Sequence, residues 1–227
     1  MLRKWEDLPK KMQTEAVRPY YEYLNKRRGS LFLKRTFDIV VSTVLLILIS
    51  PILLILAVMI ATDSKGGIFY RQERVTQYGR VFRIFKFRTM VADADKIGTQ
   101  VTVQNDSRIT KIGEKLRKYR LDELPQLLNI LMGDMTLVGT RPESIHYVEH
   151  YTPEMYATLL LPAGVTSEAS ILYRDEAKLL RDAENVDKVY VEKILPEKMK
   201  YNLEDIRRFS CVKEIGTIFR TVLAVVR

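Results

Sequence analysis

The sequence predicts a mostly helical α+β protein, monotopic on a membrane, with an N-terminal re-entrant helix-break-helix and one cytosolic globular domain. Three observations predict it. Residues Ile39 to Thr62 run for 24 positions without a formal charge, with Ser50-Pro51 in their middle. Cations border both ends of that run: Lys26, Arg27, Arg28, Lys34 and Arg35 before it, Lys65, Arg71, Arg74 and Arg80 after it. Beyond it, apolar residues first alternate and then recur at three- and four-residue spacings, the periods of strand and helix.

The apolar run is long enough to cross a bilayer, since about 20 apolar residues span the ~30 Å hydrocarbon core. A helix that crossed should carry its Lys and Arg on one side only. Here both flanks read as cytosolic. Pro51 lacks a backbone donor and its ring clashes with the carbonyl four residues back, so it kinks or breaks a helix at that point. The carbonyl it frees needs a partner at bilayer depth, and the Ser50 hydroxyl is the nearest candidate. A hairpin that dips into one leaflet and returns is the favoured reading; a kinked spanning helix is the alternative. The run begins too late and is too long for a cleavable signal peptide, and no A-x-A site follows it.

Three regions follow: an interfacial N-terminal segment over 1–33, the membrane hairpin over 34–64 and a globular domain over 65–227. Roughly 160 residues beyond the apolar run suffice for one domain with its own core. Residues 1–120 carry 24 Lys+Arg and 11 Asp+Glu (+13), against 13 and 17 (−4) in 121–227. The basic half holds the membrane segment and suits anionic lipid headgroups, at about 1 kcal/mol per cation near the surface, or other phosphates. No nucleic-acid partner is expected, because such a partner leaves the apolar run unexplained and no recognition motif is visible. The single cysteine, Cys211, excludes an internal disulfide and fits a reducing compartment. There is no P-loop and no G-x-G-x-x-G, which weighs against an ATPase or a dinucleotide enzyme.

Residues 1–30 interleave Trp5, Leu8, Met12, Val17, Tyr20 and Tyr21 with charge, a mixture suited to the headgroup boundary or to packing on the domain. A Gly66-Gly67 turn leads to 68–90, read as one or two short strands, then to a polar loop over 91–109. A helical pattern starts at Thr110 and can end at Gly133. Thr136 to Pro142 reads as turn-rich, and the C-terminal third as mostly helical. His146 and His150 stand four apart but lack further ligands nearby, so a zinc site is not expected.

The chemistry centres on Leu121-Asp122-Glu123-Leu124-Pro125-Gln126. Two adjacent carboxylates follow the cations Lys115, Arg117, Lys118 and Arg120, which favour their ionised form, and precede a proline suited to the first turn of a helix. An ionised aspartate can attack phosphorus. Neighbouring helical residues point about 100° apart, so one can serve as nucleophile and the other as metal ligand. Taken alone, such a pair is more often a solvated helix face or a cap.

Its company changes that balance. KRTFDIV (Lys34 to Val40), Ser50-Pro51, FYRQERV (Phe69 to Val75), KFRTM (Lys86 to Met90), LRKYRLDELPQLLNIL with its following GDM (Leu116 to Met135) and GTRPE (Gly139 to Glu143) occur in the order found in bacterial sugar transferases. From about residue 30 onward the chain resembles their small monotopic phosphoglycosyl transferases. The resemblance implies transfer of a sugar 1-phosphate from a UDP-sugar to a polyprenyl phosphate such as undecaprenyl phosphate. UMP would be released and Mg2+ used, as the first membrane step of surface polysaccharide synthesis. It implies Asp122 as covalent nucleophile and Glu123 as its metal-binding or supporting partner, with Asp122, Glu123 and Asp187 as the candidate metal set. Lys86, Arg88 and Arg141 match phosphate-contacting positions, and Arg174 a phosphate or uridine contact. The implied location is the cytosolic face of the bacterial inner membrane, with a homo-oligomer left open.

The chain departs from the family pattern in three places. Thr140 stands where many relatives have proline, and Thr76 where they have glycine. PAGVTSEASILYR (Pro162 to Arg174) replaces a PGITGWAQVNGR-like segment, keeping Gly164, Thr166 and Arg174 in register. The alternative function is a non-catalytic membrane scaffold in the same pathway, with the motifs kept for folding.

Overall fold

Residues 2–91, 94, 106–174, 176 and 185–226 are described in the computed structural model. Two short 3-10 turns, Trp5–Asp7 and Lys10–Met12, lead into helix α1 (Arg18–Asn25). Of the two placements open to this segment, the structure has it packed on the domain. Leu8, Met12, Val17, Tyr20 and Leu24 are buried in the largest core cluster, against Tyr147, Met155, Leu160, Leu195 and Met199. Tyr21 hydroxyl donates to the Arg3 carbonyl at 3.0 Å, tying the segment to itself.

Helix α2 (Arg28–Asp63) runs for 36 residues as one helix with Pro51 inside it, so the expected helix-break-helix has no break in its secondary structure. It starts six residues before the expected boundary at 34. At 1.5 Å per residue it measures about 54 Å along its axis, well beyond the ~30 Å of a bilayer core. Ser50 Oγ donates to the Ile47 carbonyl at 2.8 Å, the carbonyl that Pro51 leaves without a backbone donor. Ile47, Leu48 and Leu54 are each 68% exposed, and Val40, Val44, Ile52 and Val58 are exposed beside them. An apolar face of that extent does not rest in water, which marks α2 as the membrane-associated element.

Both ends of α2 hold the same globular body. Near its start, Lys34 Nζ donates to the Val138 carbonyl at 2.9 Å and pairs with Glu214 at 2.8 Å. Asp38, 2% exposed, accepts from Thr136 Oγ1 at 2.5 Å and from the Leu137 amide at 3.2 Å. Near its end, Leu56 and Ile60 pack on Phe87 and Leu116, and Asp63 accepts from the Ile112 amide at 3.3 Å.

The alternating stretch becomes a hairpin. Strands β1 (Phe69–Val75) and β2 (Val81–Phe87) pair antiparallel from Phe69↔Phe87 to Val75↔Val81. Tyr78 takes a left-handed conformation at φ 60° in the connecting turn. Most of the polar loop expected over 91–109 lies outside the described residues. Helix α3 (Lys111–Lys118) starts at Thr110, whose hydroxyl caps it by accepting from the Gly113 amide at 3.0 Å. Helix α4 (Gln126–Met132) ends at Gly133 with φ +85°, a left-handed cap that glycine adopts freely.

The turn-rich reading of Thr136 to Pro142 missed a strand. Strand β3 (Met135–Val138) pairs in parallel with β4 (Ala163–Thr166), across the short helix α5 (Ile145–Val148) and a 3-10 turn over Met155–Leu160. Four-residue strands buried on both faces show no alternation, so periodicity does not reveal them. Just beyond β3, Gly139 meets Gly164: a Cβ on Gly164 would lie 2.1 Å from the Gly139 carbonyl oxygen. Thr76 closes the arrangement: its hydroxyl donates to the Asp134 carbonyl at 2.6 Å and accepts from the Ala163 amide at 3.1 Å. That is a bridging role a glycine there cannot fill.

The remainder is helical, as expected: α6 (Glu168–Leu172), α7 (Val186–Val189) continuing through a π turn over Tyr190–Ile194 into α8 (Leu195–Arg207), and α9 (Cys211–Val226). Helix α9 is amphipathic and exposes Val212, Phe219, Val222 and Leu223.

Candidate active site

The dyad does not sit on an α-helix. Arg120 takes φ 55°, ending the run from α3, and Leu121–Glu123 forms a single 3-10 turn before Pro125 opens α4. Successive residues in such a turn point about 120° apart. Asp122 and Glu123 therefore face different walls. Asp122 lines a polar cleft of ≈ 610 Å³ with Arg71, Arg74, Lys86, Arg88 and Arg117. Glu123 lines a separate, largely apolar cleft of ≈ 260 Å³ with Arg120, Arg141 and Arg174.

Three elements fix the turn. Asn129 of α4, fully buried, accepts from the Phe85 amide at 2.8 Å and donates to the Arg83 carbonyl at 3.1 Å, locking α4 onto the strand that carries Lys86. Arg35 of α2 donates to the Ile130 and Leu131 carbonyls at 2.7 and 3.2 Å, satisfying carbonyls that the end of α4 leaves open. The close Gly139–Gly164 approach brings the following residues, Arg141 among them, against Glu123.

The two carboxylates have opposite surroundings. Glu123 is held by three cations: Arg141 through Nη2 at 2.5 Å and Nη1 at 3.4 Å, Lys86 at 3.1 Å and Arg120 at 3.8 Å. Burial opposes its charge, but Arg141 and Lys86 outweigh burial and hold this carboxyl well below the usual glutamate range. Asp122 is 7% exposed and makes no hydrogen bond or ion pair among the described residues. Burial and then the Glu123 charge push its carboxyl above the ordinary aspartate value, against the pull of Lys86, Arg117 and Arg141. Of the cations expected to ionise the pair, Arg120 reaches Glu123 and Arg117 faces Asp122, while the main partners of Glu123, Arg141 and Lys86, come from other elements. Burial lowers the Lys86 ammonium, with Glu123 opposing that shift. Arrangements that separate two carboxyls in this way assign them different tasks.

The structure brings Asp122, Glu123, Lys86 and Arg141 together, with Arg88 on the cleft of Asp122 and Arg174 on the cleft of Glu123, and places Asp187 elsewhere. Arg88, buried just after β2, donates through Nη2 to the Ser64 carbonyl at 2.6 Å and the Ile60 carbonyl at 3.2 Å, closing the end of α2. Its Nε and Nη1 have no partner among the described residues, and the side chain lines the polar cleft. Arg174 lies on the apolar cleft, where it donates to the Ala224 carbonyl. Asp187, expected in a metal set, instead accepts from Tyr147 hydroxyl at 2.7 Å, and it lines neither cleft. Among the described residues no three acidic, histidine or cysteine side chains gather as a metal centre. Glu123 is occupied by cations, so Asp122 is the carboxylate left to meet a divalent ion together with phosphate oxygens. Mg2+ is commonly bound through one or two carboxylates plus substrate phosphates, so the donor set fits that mode.

Sequence reasoning missed several residues. Arg74 and Arg117 complete the basic wall, and burial lowers both guanidinium values. Glu143 of GTRPE joins Tyr190 at 2.8 Å and Lys198 at 3.3 Å in a buried network, and Lys198 reaches Glu176 at 3.0 Å. This network lines a third cavity of ≈ 240 Å³ beside Lys86, Gln126 and Arg141. Only the position of Glu143 inside a motif signalled its involvement. Lys34, Arg35 and Asp38 carried a usable signal: charges at the shoulder of an apolar helix need buried partners.

Comparison with known proteins agrees with this geometry. The "Bacterial sugar transferase" family model matches residues 29–227. The UDP-glucose:undecaprenyl-phosphate glucose-1-phosphate transferase of Escherichia coli (strain K12) is 37% identical over 195 residues, covering 84% of this chain and 39% of that protein. The UDP-N-acetylgalactosamine-undecaprenyl-phosphate N-acetylgalactosaminephosphotransferase of Aeromonas hydrophila is 33% identical over 195 residues, covering 84% and 43%. An exopolysaccharide production protein of Rhizobium leguminosarum bv. phaseoli is 39% identical over 148 residues, covering 62% and 74%. The chain thus spans about two fifths of the length of the first two relatives. With its dyad, its basic cleft and a family match over nearly the whole length, the chain belongs to the bacterial sugar transferase family.

Proposed function

We propose that this chain moves a sugar 1-phosphate from a UDP-sugar to undecaprenyl phosphate or a similar polyprenyl phosphate, releasing UMP, by way of an adduct on Asp122. The observation that carries the reading is the contrast within the dyad: Glu123 neutralised by Arg141 and Lys86, Asp122 buried and unpaired among the described residues in the lining of a cationic cleft. An unpaired carboxylate in a basic pocket can approach a diphosphate that would repel it in water.

Asp122 would attack the sugar-bearing phosphorus. The bond from that phosphorus to the bridging oxygen breaks, and UMP leaves with the bridging oxygen and the electron pair. An oxygen of the polyprenyl phosphate then attacks the same phosphorus and the Asp122 carboxylate is regenerated. Lys86, Arg88, Arg74 and Arg117 line the cleft that would receive the diphosphate, and the idle Nε and Nη1 of Arg88 suit phosphate oxygens. Asp122 would hold Mg2+ together with the donor phosphates, and the ion would supply charge neutralisation there. Glu123 orders Arg141 and Lys86, which supports its role as partner of the nucleophile.

The same reading places α2 as a re-entrant hairpin on the cytosolic face of the inner membrane. Support comes from the anchoring of both its ends to one body, through Asp38 at the start and Asp63 at the end, with the apolar face around Pro51 between them. A panel of UDP-sugars offered to the bilayer-embedded protein with Mg2+ and undecaprenyl phosphate tests the reaction. UMP release is expected with at least one sugar and none with Asp122→Asn, which should remain membrane-bound. Full turnover by that variant would refute the reading.

A further inference from the structure

Resting on that reading of the dyad, we propose that the isoprenoid tail of the acceptor occupies the apolar cleft between α2, α6 and α9, and so delivers its phosphate to the site from the Glu123 side. Leu45 and Ile49 of α2, Val165 of β4, Ile171 of α6 and Ala224 of α9 form the walls, and Arg120, Glu123 and Arg141 stand at the polar end.

The walls select a lipid. The two long helices that border the cleft are those whose outer faces expose large apolar side chains, Ile47 and Leu48 on α2, Phe219 and Leu223 on α9. A chain leaving the bilayer along them reaches the cleft without the unfavourable exposure of its methylenes to water. The polar end selects an anion by charge: Arg120, Arg141 and Arg174 stand there against the single Glu123 carboxylate. A neutral lipid or an apolar peptide would leave that end unused, and a nucleotide would leave the walls unused.

The site offers two routes of different polarity. In-line displacement on the Asp122 adduct requires the acceptor oxygen to enter from the side that UMP vacated, so the two phosphates take turns at one position. Only their tails need separate exits. The polar cleft on the Asp122 side suits the nucleoside, and the apolar cleft on the Glu123 side suits the prenyl chain. The segment that departs from the family pattern, Pro162 to Arg174, supplies Val165 and Ile171 to this wall, which requires apolar contact rather than nucleotide recognition.

Two half-reactions separate this proposal from the reading beneath it. With UDP-sugar alone, Ala224→Trp and Ile171→Trp should form adduct and release UMP within about twofold of wild type, while discharge of the adduct by undecaprenyl phosphate slows at least ~10-fold. Discharge at the wild-type rate in both variants would overturn the cleft assignment. Absence of UMP and adduct in the wild type would instead overturn the reaction. Should either variant fold poorly, wild-type protein in nanodiscs can be irradiated with a polyprenyl phosphate carrying a diazirine in the isoprene unit next to its phosphate. Labelling of peptides holding Ile171 or Ala224, competed by undecaprenyl phosphate, supports the proposal. Labelling confined to the outer face at Ile47, Leu48 and Leu54 contradicts it.

Discussion

Arg141 grips Glu123 with both ends of its guanidinium fork, at 2.5 and 3.4 Å, and turns one member of an acidic pair into part of the scaffold. The other member, Asp122, is left as a buried carboxylate that no cation among the described residues neutralises by contact. The predictions below follow from this asymmetry and from the anchoring of α2.

Glu123→Gln should lower kcat/KM by about 100-fold, close to 3 kcal/mol, because Lys86 and Arg141 lose the charge that orders them. Its pH profile should also move. In the wild type, burial and the Glu123 charge raise the Asp122 carboxyl, so the acid limb lies above the range of an exposed aspartate. Removing the Glu123 charge favours ionisation of Asp122, and the limb shifts to lower pH. A limb that stays in place or rises would mean that another group sets it.

Asp122→Asn should abolish turnover yet stabilise the fold. A carboxyl whose value is raised on folding contributes stability that is present below its unfolded value, about 3.9, and is lost as pH rises through the folded value. Near neutral pH the wild type bears that cost and the amide does not. A gain on the order of 1 kcal/mol raises Tm by roughly 2–4 °C in a domain of this size. The gain should vanish below the ordinary aspartate range. Thermal unfolding of both proteins at neutral and acidic pH measures it.

Asp38→Ala should destabilise the protein although it lies far from the dyad in sequence. The substitution strands Thr136 Oγ1 and the Leu137 amide in a buried position, at about 1–3 kcal/mol. Because α2 also holds the end of α4 through Arg35, turnover should fall along with Tm. Asp38→Asn, which keeps one acceptor, should lose less in the same melting and activity assays.

Single cysteines at Gly29 and Lys65, introduced in a Cys211→Ser background, should both react with an impermeant maleimide from the side that exposes the globular domain. Pro51→Leu, which restores a backbone donor to the Ile47 carbonyl, should make one of them inaccessible from that side. Opposite-side labelling of the unmodified segment would establish a spanning helix.

Much of this site was legible from local chemistry. The Ser50-Pro51 pair forecast the hydroxyl-to-carbonyl repair at Ile47, Thr110 its cap, Gly133 its left-handed turn, and the cations around the dyad their clustering. Long-range pairings stayed hidden. Nothing local in Thr136 to Val138 signals a parallel partner 28 residues away, and the 3-10 turn that splits Asp122 from Glu123 depends on a left-handed Arg120 that propensity disfavours. The partners of Arg88 and Asp187 were hidden for a related reason: a charged residue type shows that a partner is needed, and the fold decides which. For Arg88 the partners were carbonyls at the end of a helix, and for Asp187 a tyrosine hydroxyl.

The most direct measurement is the mass of the protein quenched in acid after brief exposure to UDP-sugar and Mg2+ without acceptor. The account predicts a gain equal to one sugar phosphate, mapped by peptide fragmentation to Asp122, absent in Asp122→Asn and lost on addition of undecaprenyl phosphate. A phosphosugar on any other residue, or turnover to lipid product with no adduct formed, would contradict it.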